Sequence, residues 1–199
     1  MLRAFARGED VSPVKPYDPE TKDVNRSIKS YGNGLTAPHD ITCELDAKAL
    51  LYLLAESVGQ RLREDGMRGK TIAIMVRDGE TLSGFTRQMK LKQATASTKR
   101  IAENAWHLLL ANQALDEDHP VRALMVRVSS LEPMHQPHQL SLFEKDDTQL
   151  EQLDFVIDDL RRRYGNTCVQ RGIELADKSL RGVDIKGENT VHPVGYLHT

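Results

Sequence analysis

The sequence predicts an α+β fold: a split βαβ-like four-stranded sheet with two helices on one face, plus an extra C-terminal helix. Two observations predict it. From residue 29 to residue 131 the apolar pattern switches between period 2 and period 3.6 in the order strand, helix, strand, strand, helix, strand. Turn and breaker residues, Asp78-Gly79 between the middle strands and Gly66 and His119-Pro120 after the helices, fall where those switches occur.

Each element has its own signal. Lys29 to Ala37 reads as a twisted first strand that Pro38 limits. From Asp46 to Asp65, Leu51, Leu54, Val58 and Leu62 recur at helical spacing, and Gly66 can cap the end. Lys70 to Arg77 alternates, with Ile72, Ile74 and Val76 on one side. The Asp78-Gly79 turn leads into a return strand from about Thr81 to Lys92, with Phe85, Met89 and Leu91 in the apolar phase and Arg87 intruding upon it, which suggests a bulge or an exposed strand end. Ser97 can cap a second helix to about Ala114 that buries Ile101, Ala105, Leu108 and Leu109. Val121 to Leu131 is the last strand, with Leu124, Val126 and Val128 facing inward. Thr148 to Tyr164 is an amphipathic helix through Leu150, Leu153, Ile157 and Leu160, and its terminal Arg161-Arg162-Arg163 complements the helix dipole.

With both helices on one face, the other face of the sheet is open. It presents Thr71, Met75, Arg77, Thr86, Gln88, Lys90 and Lys92. Between Arg68 and Arg100 there are eight basic residues against two acidic ones, although the whole chain has a net charge of -2. Two readings stand side by side. Lys and Arg on a strand protect a sheet edge from aggregation; short donors alternating with long cations also suit contact with nucleic-acid phosphates, which position a duplex without reading its sequence.

Other chemistry is excluded or weak. The chain of 199 residues is 39% hydrophobic and 28% charged, with mean hydropathy -0.49 and no long apolar run, so a membrane span and a secretory signal are not expected and the expected address is cytoplasmic. Cys43 and Cys168 are too few for a disulfide framework and lack metal-ligand spacing. Gly66-Met67-Arg68-Gly69-Lys70-Thr71 precedes a strand, whereas a phosphate loop must open a helix. Gly32-Asn33-Gly34 lacks the third glycine of a dinucleotide site. His135 and His138 have no ligand set beside them, and Trp106 and His107 read as packing and surface positions of a helix. No catalytic constellation is apparent. Gln139-Leu140-Ser141-Leu142-Phe143 stands apart as an apolar-ended peptide between turn formers and acids; it suits a ligand for another protein, or a segment that packs back onto the sheet.

Lys29-Ser30-Tyr31-Gly32-Asn33-Gly34, the strand Ser83-Gly84-Phe85-Thr86-Arg87-Gln88, the pentapeptide and Leu160-Arg161-Arg162-Arg163-Tyr164-Gly165 together resemble the C-terminal part of bacterial Y-family translesion DNA polymerases, the DinB/UmuC (ImpB/MucB/SamB) family. The resemblance implies thumb end and linker over 1–30, a little-finger DNA-binding domain over 31–132, a clamp-binding loop over 133–147, a C-terminal helical segment over 148–183 and a flexible tail over 184–199. It implies backbone contacts to primer–template DNA without sequence preference from Lys29, Ser30, Thr86, Arg87, Gln88 and Lys90. It implies that Gln139, Leu140, Leu142 and Phe143 bind the bacterial sliding clamp. The family's metal carboxylates belong to an N-terminal palm, so no cofactor is expected in this chain, while Mg2+ is expected for the parent polymerase. Two other readings remain: a non-catalytic accessory protein that recruits partners to damaged replication forks, and an unrelated ferredoxin-like interaction module.

Overall fold

Alternation in one central strand decides which side of the sheet is dry. Ile72, Ile74 and Val76 are buried, whereas Met75 and Arg77 between and beside them are exposed. The computed structural model describes residues 3, 6–9, 11, 28–135, 148–175, 178–180 and 183. Its elements are β1 (Ser30–Ile41), α1 (Glu44–Glu64), β2 (Met67–Asp78), β3 (Gly84–Thr95), α2 (Thr98–Leu110), β4 (Val121–Pro133) and α3 (Thr148–Tyr164), followed by short 3-10 turns at Gly172–Leu175 and Lys178–Leu180. The expected α+β architecture is borne out. The sheet is antiparallel throughout with strand order β1-β4-β2-β3, so β4 separates β1 from β2 and β2 separates β3 from β4. Both strand–helix–strand units are therefore split by one strand.

Local details differ from the sequence reading for physical reasons. β1 runs past Pro38 to Ile41; it is an edge strand, and its regular pairing with β4 breaks off after Thr36, so the missing N–H interrupts no ladder. Asp78 and Gly79 do not form a two-residue turn. Residues 79–83 connect the strands, and the Asp78 carboxylate accepts hydrogen bonds from the Thr81 backbone N–H (2.7 Å), the Thr81 hydroxyl (2.8 Å) and the Glu80 N–H (3.1 Å). Those bonds hold the Asp78 carboxyl below its usual range.

Helix α1 lies at the centre of the helical layer. Leu51, Leu54, Val58 and Leu62 are fully buried, and the polar Glu56, Ser57, Gln60 and Arg63 on its far side are nearly so. Gly59 permits that second burial: a Cβ there would lie 2.9 Å from Arg63 Nη1 and 3.0 Å from Thr98 Oγ1. β1 is fastened to the same helix, with Tyr31 donating its hydroxyl hydrogen to Asp65 and Asn33 Nδ2 donating to Ser57 Oγ at 2.9 Å. Burial and the Asp65 carboxylate both push the Tyr31 phenol up.

Helix α3 has the bounds expected of it but docks by its other side. Leu153 and Val156 are exposed, whereas Asp154 and Arg161 are buried. Asp154 accepts the Thr98 backbone N–H at 2.8 Å, supplying the cap for α2 that the Ser97 side chain does not make, and it also accepts from Arg171 Nη2 at 2.8 Å. Arg63 donates to Asp158 at 2.6 and 2.9 Å and to the Ala96 carbonyl at 2.7 Å. Glu56 accepts from Arg161 Nη2 at 2.5 Å and from Arg171 Nε at 2.7 Å. Four carboxyls (Glu56, Asp154, Asp158, Glu174) thus face three guanidiniums (Arg63, Arg161, Arg171), and Glu174, 1% exposed, has one oxygen without a hydrogen-bond partner. Burial first, then the Glu56 carboxylate, push the Glu174 carboxyl up to about 7 against the opposing pull of Arg161 and Arg171. One proton on Glu174 balances the cluster's charge.

Candidate nucleic-acid interface

Strand registers set the open face as four rungs that cross all four strands, because residues directly paired in an antiparallel ladder share a face. The first is Ser30, Ser129, Thr71, Lys90; the second Gly32, Arg127, Ala73, Gln88; the third Gly34, Met125, Met75, Thr86; the fourth Thr36, Ala123, Arg77, Gly84. No acid stands in any of them. Strand spacing makes each rung about 14 Å across, and successive rungs are about 7 Å apart.

The rungs combine three kinds of surface. Ser30, Ser129, Thr71 and Thr86 bring hydroxyls, and the Thr71 Oγ1 lies 2.9 Å from the Ser130 Oγ, where a φ of 54° at Ser130 turns that side chain towards it. Glycines on β1 let long side chains of β4 lie over it: a Cβ at Gly34 would come within 3.0 Å of Met125 Cβ, and one at Gly32 within 3.3 Å of Arg127 Cβ. Lys90 and Arg127 supply cations that form no ion pair among the described residues, and Arg77 donates only to the Leu82 carbonyl at 3.2 Å.

Much of the basic surplus in this stretch is neutralised locally. Arg68 and Lys70 hold Glu132 at 3.0 and 3.3 Å; burial alone would raise the Glu132 carboxyl, but these two partners outweigh it and keep it low. Lys99 lies 3.8 Å from Glu103 on α2. Of the basic residues in this stretch, Arg77 and Lys90 stand in the rungs of the open face.

Of the residues singled out in the sequence, Ser30, Thr86, Gln88 and Lys90 come together on this face, and the exposed Lys29 immediately precedes its first rung. Arg87 does not join them. It pairs with Ile74 in an unbroken register, so no bulge turns it over; it lies on the helix side of the edge strand, where it donates to Asn112 Oδ1 at 3.0 Å and its guanidinium stands 5.0 Å from the centre of the Phe85 ring. Lys92 lies where five steps on β3 oppose two on β2, in a bulged stretch beyond the rungs. Sequence reasoning missed Arg127 and Ser129, although their phase opposite Leu124, Val126 and Val128 marks them as outward. Gln139, Leu140, Leu142 and Phe143 lie outside the described residues. Trp106 is buried at 9% exposure beneath Lys48, as a packing residue should be.

Residues 28–142 match the model of the impB/mucB/samB family C-terminal domain, more than half of the chain. The chain belongs to that family. Its similarity to DNA polymerase IV of Acetivibrio thermocellus is 41% identity over 184 residues, covering 92% of this chain and 44% of that protein; DNA polymerase IV 2 of Halalkalibacterium halodurans is 33% identical over 181 residues, with 90% and 42% covered. The chain therefore spans less than half the length of these curated relatives. Among solved structures, a Y-family DNA polymerase chimera is 19% identical with a TM-score of 0.40, covering 65% of this chain and 33% of the other. A complex of the beta-clamp processivity factor and the little finger domain of PolIV is 17% identical with a TM-score of 0.39, covering 58% and 99%. Among the described residues of this family member, no group of three or more His, Cys, Asp or Glu side chains could hold a metal ion, and no helix is long and apolar enough to cross a membrane.

Proposed function

We propose that this chain grips the sugar–phosphate backbone of primer–template DNA with the open face of its sheet and serves as the DNA- and clamp-binding part of a translesion DNA polymerase in DNA damage bypass. The observation that carries the reading is the acid-free face of four rungs with Lys90 and Arg127 unneutralised, in a chain of the impB/mucB/samB family. Hydroxyls of Ser30, Thr71 and Thr86 and the Gln88 amide would hydrogen-bond phosphate oxygens, Lys29, Lys90 and Arg127 would displace counterions, and Met75 and Met125 would fill the space against the sugars. Phosphate contacts of this kind would position a duplex without reading its bases. Arg87, exposed at the sheet edge, would flank the duplex from the other side of β3.

A second contact joins the protein to the bacterial sliding clamp. Leu142 and Phe143 would enter an apolar pocket on the clamp while the Gln139 amide and Leu140 fix the peptide's direction; such a short segment gives modest affinity suited to exchange between polymerases. The Mg2+ expected of such a polymerase would be held by the carboxylates of its palm, as the family resemblance implies.

Titrating a labelled primer–template duplex with the chain at rising salt tests the first contact. Affinity that falls steeply with salt, and is equal for duplexes of unrelated sequence, supports it; binding absent at low salt would overturn it. For the second contact, Leu142→Ala with Phe143→Ala should abolish clamp binding and leave the unfolding transition unchanged.

A further inference from the structure

Helix α3 buries charge and shows water its apolar side. Leu153, Val156 and Tyr164 are 50%, 58% and 72% exposed, and with the partly covered Leu160 they fall within about 80° of one another around the helix axis, a continuous stripe about 16 Å long. Asp154 and Arg161 point the other way, into the ion-pair cluster. A helix held by its polar face while its apolar face stays wet has the pattern of an interaction surface.

Its size limits the occupant. Three exposed side chains and the partly covered Leu160 offer on the order of 400 Å², short of the roughly 800 Å² per partner of a stable interface. The stripe therefore suits a contact that something else tethers, rather than a free-standing pairing of two copies. Beside it, Asp159 pairs with Arg162 and, at 2.7 Å, with Arg163, which leaves that flank a single net positive charge. The tether is next to it in the chain: four residues separate Phe143 from Thr148, five steps with a reach of at most about 18 Å. Whatever holds Phe143 keeps α3 beside it at a high effective concentration.

We propose that the α3 stripe of Leu153, Val156, Leu160 and Tyr164 is a second contact on the sliding clamp, laid on an apolar area beside the pocket that takes Leu142 and Phe143. The proposal rests on the clamp-tether reading and adds to it a partner for α3. Because the stripe carries no net charge of its own, this contact is insensitive to salt, unlike the contact with DNA.

Surface plasmon resonance of the full chain over an immobilised bacterial sliding clamp tests it, with three proteins: the wild type, Leu153→Ser/Val156→Ser/Tyr164→Ser, and Leu142→Ala/Phe143→Ala. The expected result is about tenfold weaker binding by the stripe variant, through faster dissociation and to the same extent at low and high salt, with an unchanged thermal unfolding curve. If the stripe variant binds as tightly as the wild type while the peptide variant does not bind, the stripe proposal fails and the tether reading survives. If the wild type does not bind the clamp, or the peptide variant binds as well as the wild type, the tether reading fails and this proposal falls with it. Sedimentation that shows a wild-type dimer dissociated by the stripe substitutions would assign the surface to a second copy and overturn the proposal.

Discussion

Replacing Asp154 with Ala would test how α3 is held. The side chain is 3% exposed and accepts hydrogen bonds from the Thr98 N–H, Arg171 and, at 3.4 Å, Arg63. Its loss leaves the first turn of α2 without its cap, which costs about 1 kcal/mol, and leaves the buried Arg63 and the partly buried Arg171 short of charge, where breaking a buried pair outright costs about 3 to 5 kcal/mol. Arg63 keeps Asp158 and Arg171 keeps Glu56, so the break is partial and about 3 kcal/mol in all is expected. Leu153→Ala, on the exposed stripe, should cost less than about 0.5 kcal/mol. Hydrogen exchange of the α3 amides together with urea unfolding reads both variants. If Leu153→Ala loosens α3 by about 2 kcal/mol or more and Asp154→Ala does not, the helix docks by its apolar seam and the polar latch around Asp154 does not hold it.

Two further outcomes follow from the same cluster. Glu174 holds its proton more tightly in the folded protein than in the unfolded chain, so the stability it contributes is full below the ordinary glutamate range and is lost as the pH rises through about 7; Glu174→Gln should flatten a loss on the order of 3 kcal/mol in the stability of the α3 and 3-10 segment between about pH 4.5 and pH 8, measured by urea unfolding. Were wild-type stability level across that range, Glu174 would not carry the cluster's proton. Gly59→Ala should destabilise by about 1 kcal/mol even though alanine favours a helix by about that amount, because the new Cβ meets an Arg63 guanidinium and a Thr98 hydroxyl that their own hydrogen bonds hold still; a rise in melting temperature would show that the cluster can give way.

Elements with one dry face were legible in the sequence, because burial forces a period. Ile72, Ile74 and Val76, or Leu51, Leu54, Val58 and Leu62, could be read without knowing what covered them. The docking side of α3 could not. Its period is real, but Asp154 is chosen for burial by Arg63, 91 residues earlier, and by the uncapped end of α2, and neither partner leaves a local mark. Strand order was hidden for the same reason, and with it the rungs that set Arg127 of β4 and Gln88 of β3 on either side of Ala73 of β2. On β3 the phase was legible and decisive: Thr86, Gln88 and Lys90 share the open face, while Arg87 stays on the helix side because the edge of the sheet lets a cation reach solvent from an apolar row.

The most direct test of the central claim is the salt dependence of duplex binding by the wild type, Lys90→Ala/Arg127→Ala and Arg87→Ala. Removing one cation from a phosphate lowers the slope of log K against log salt by about 0.9. If Lys90 and Arg127 each lie on a phosphate, the slope is lower by about 1.8 in the double variant and changes less in Arg87→Ala. An unchanged slope in the double variant would contradict the account.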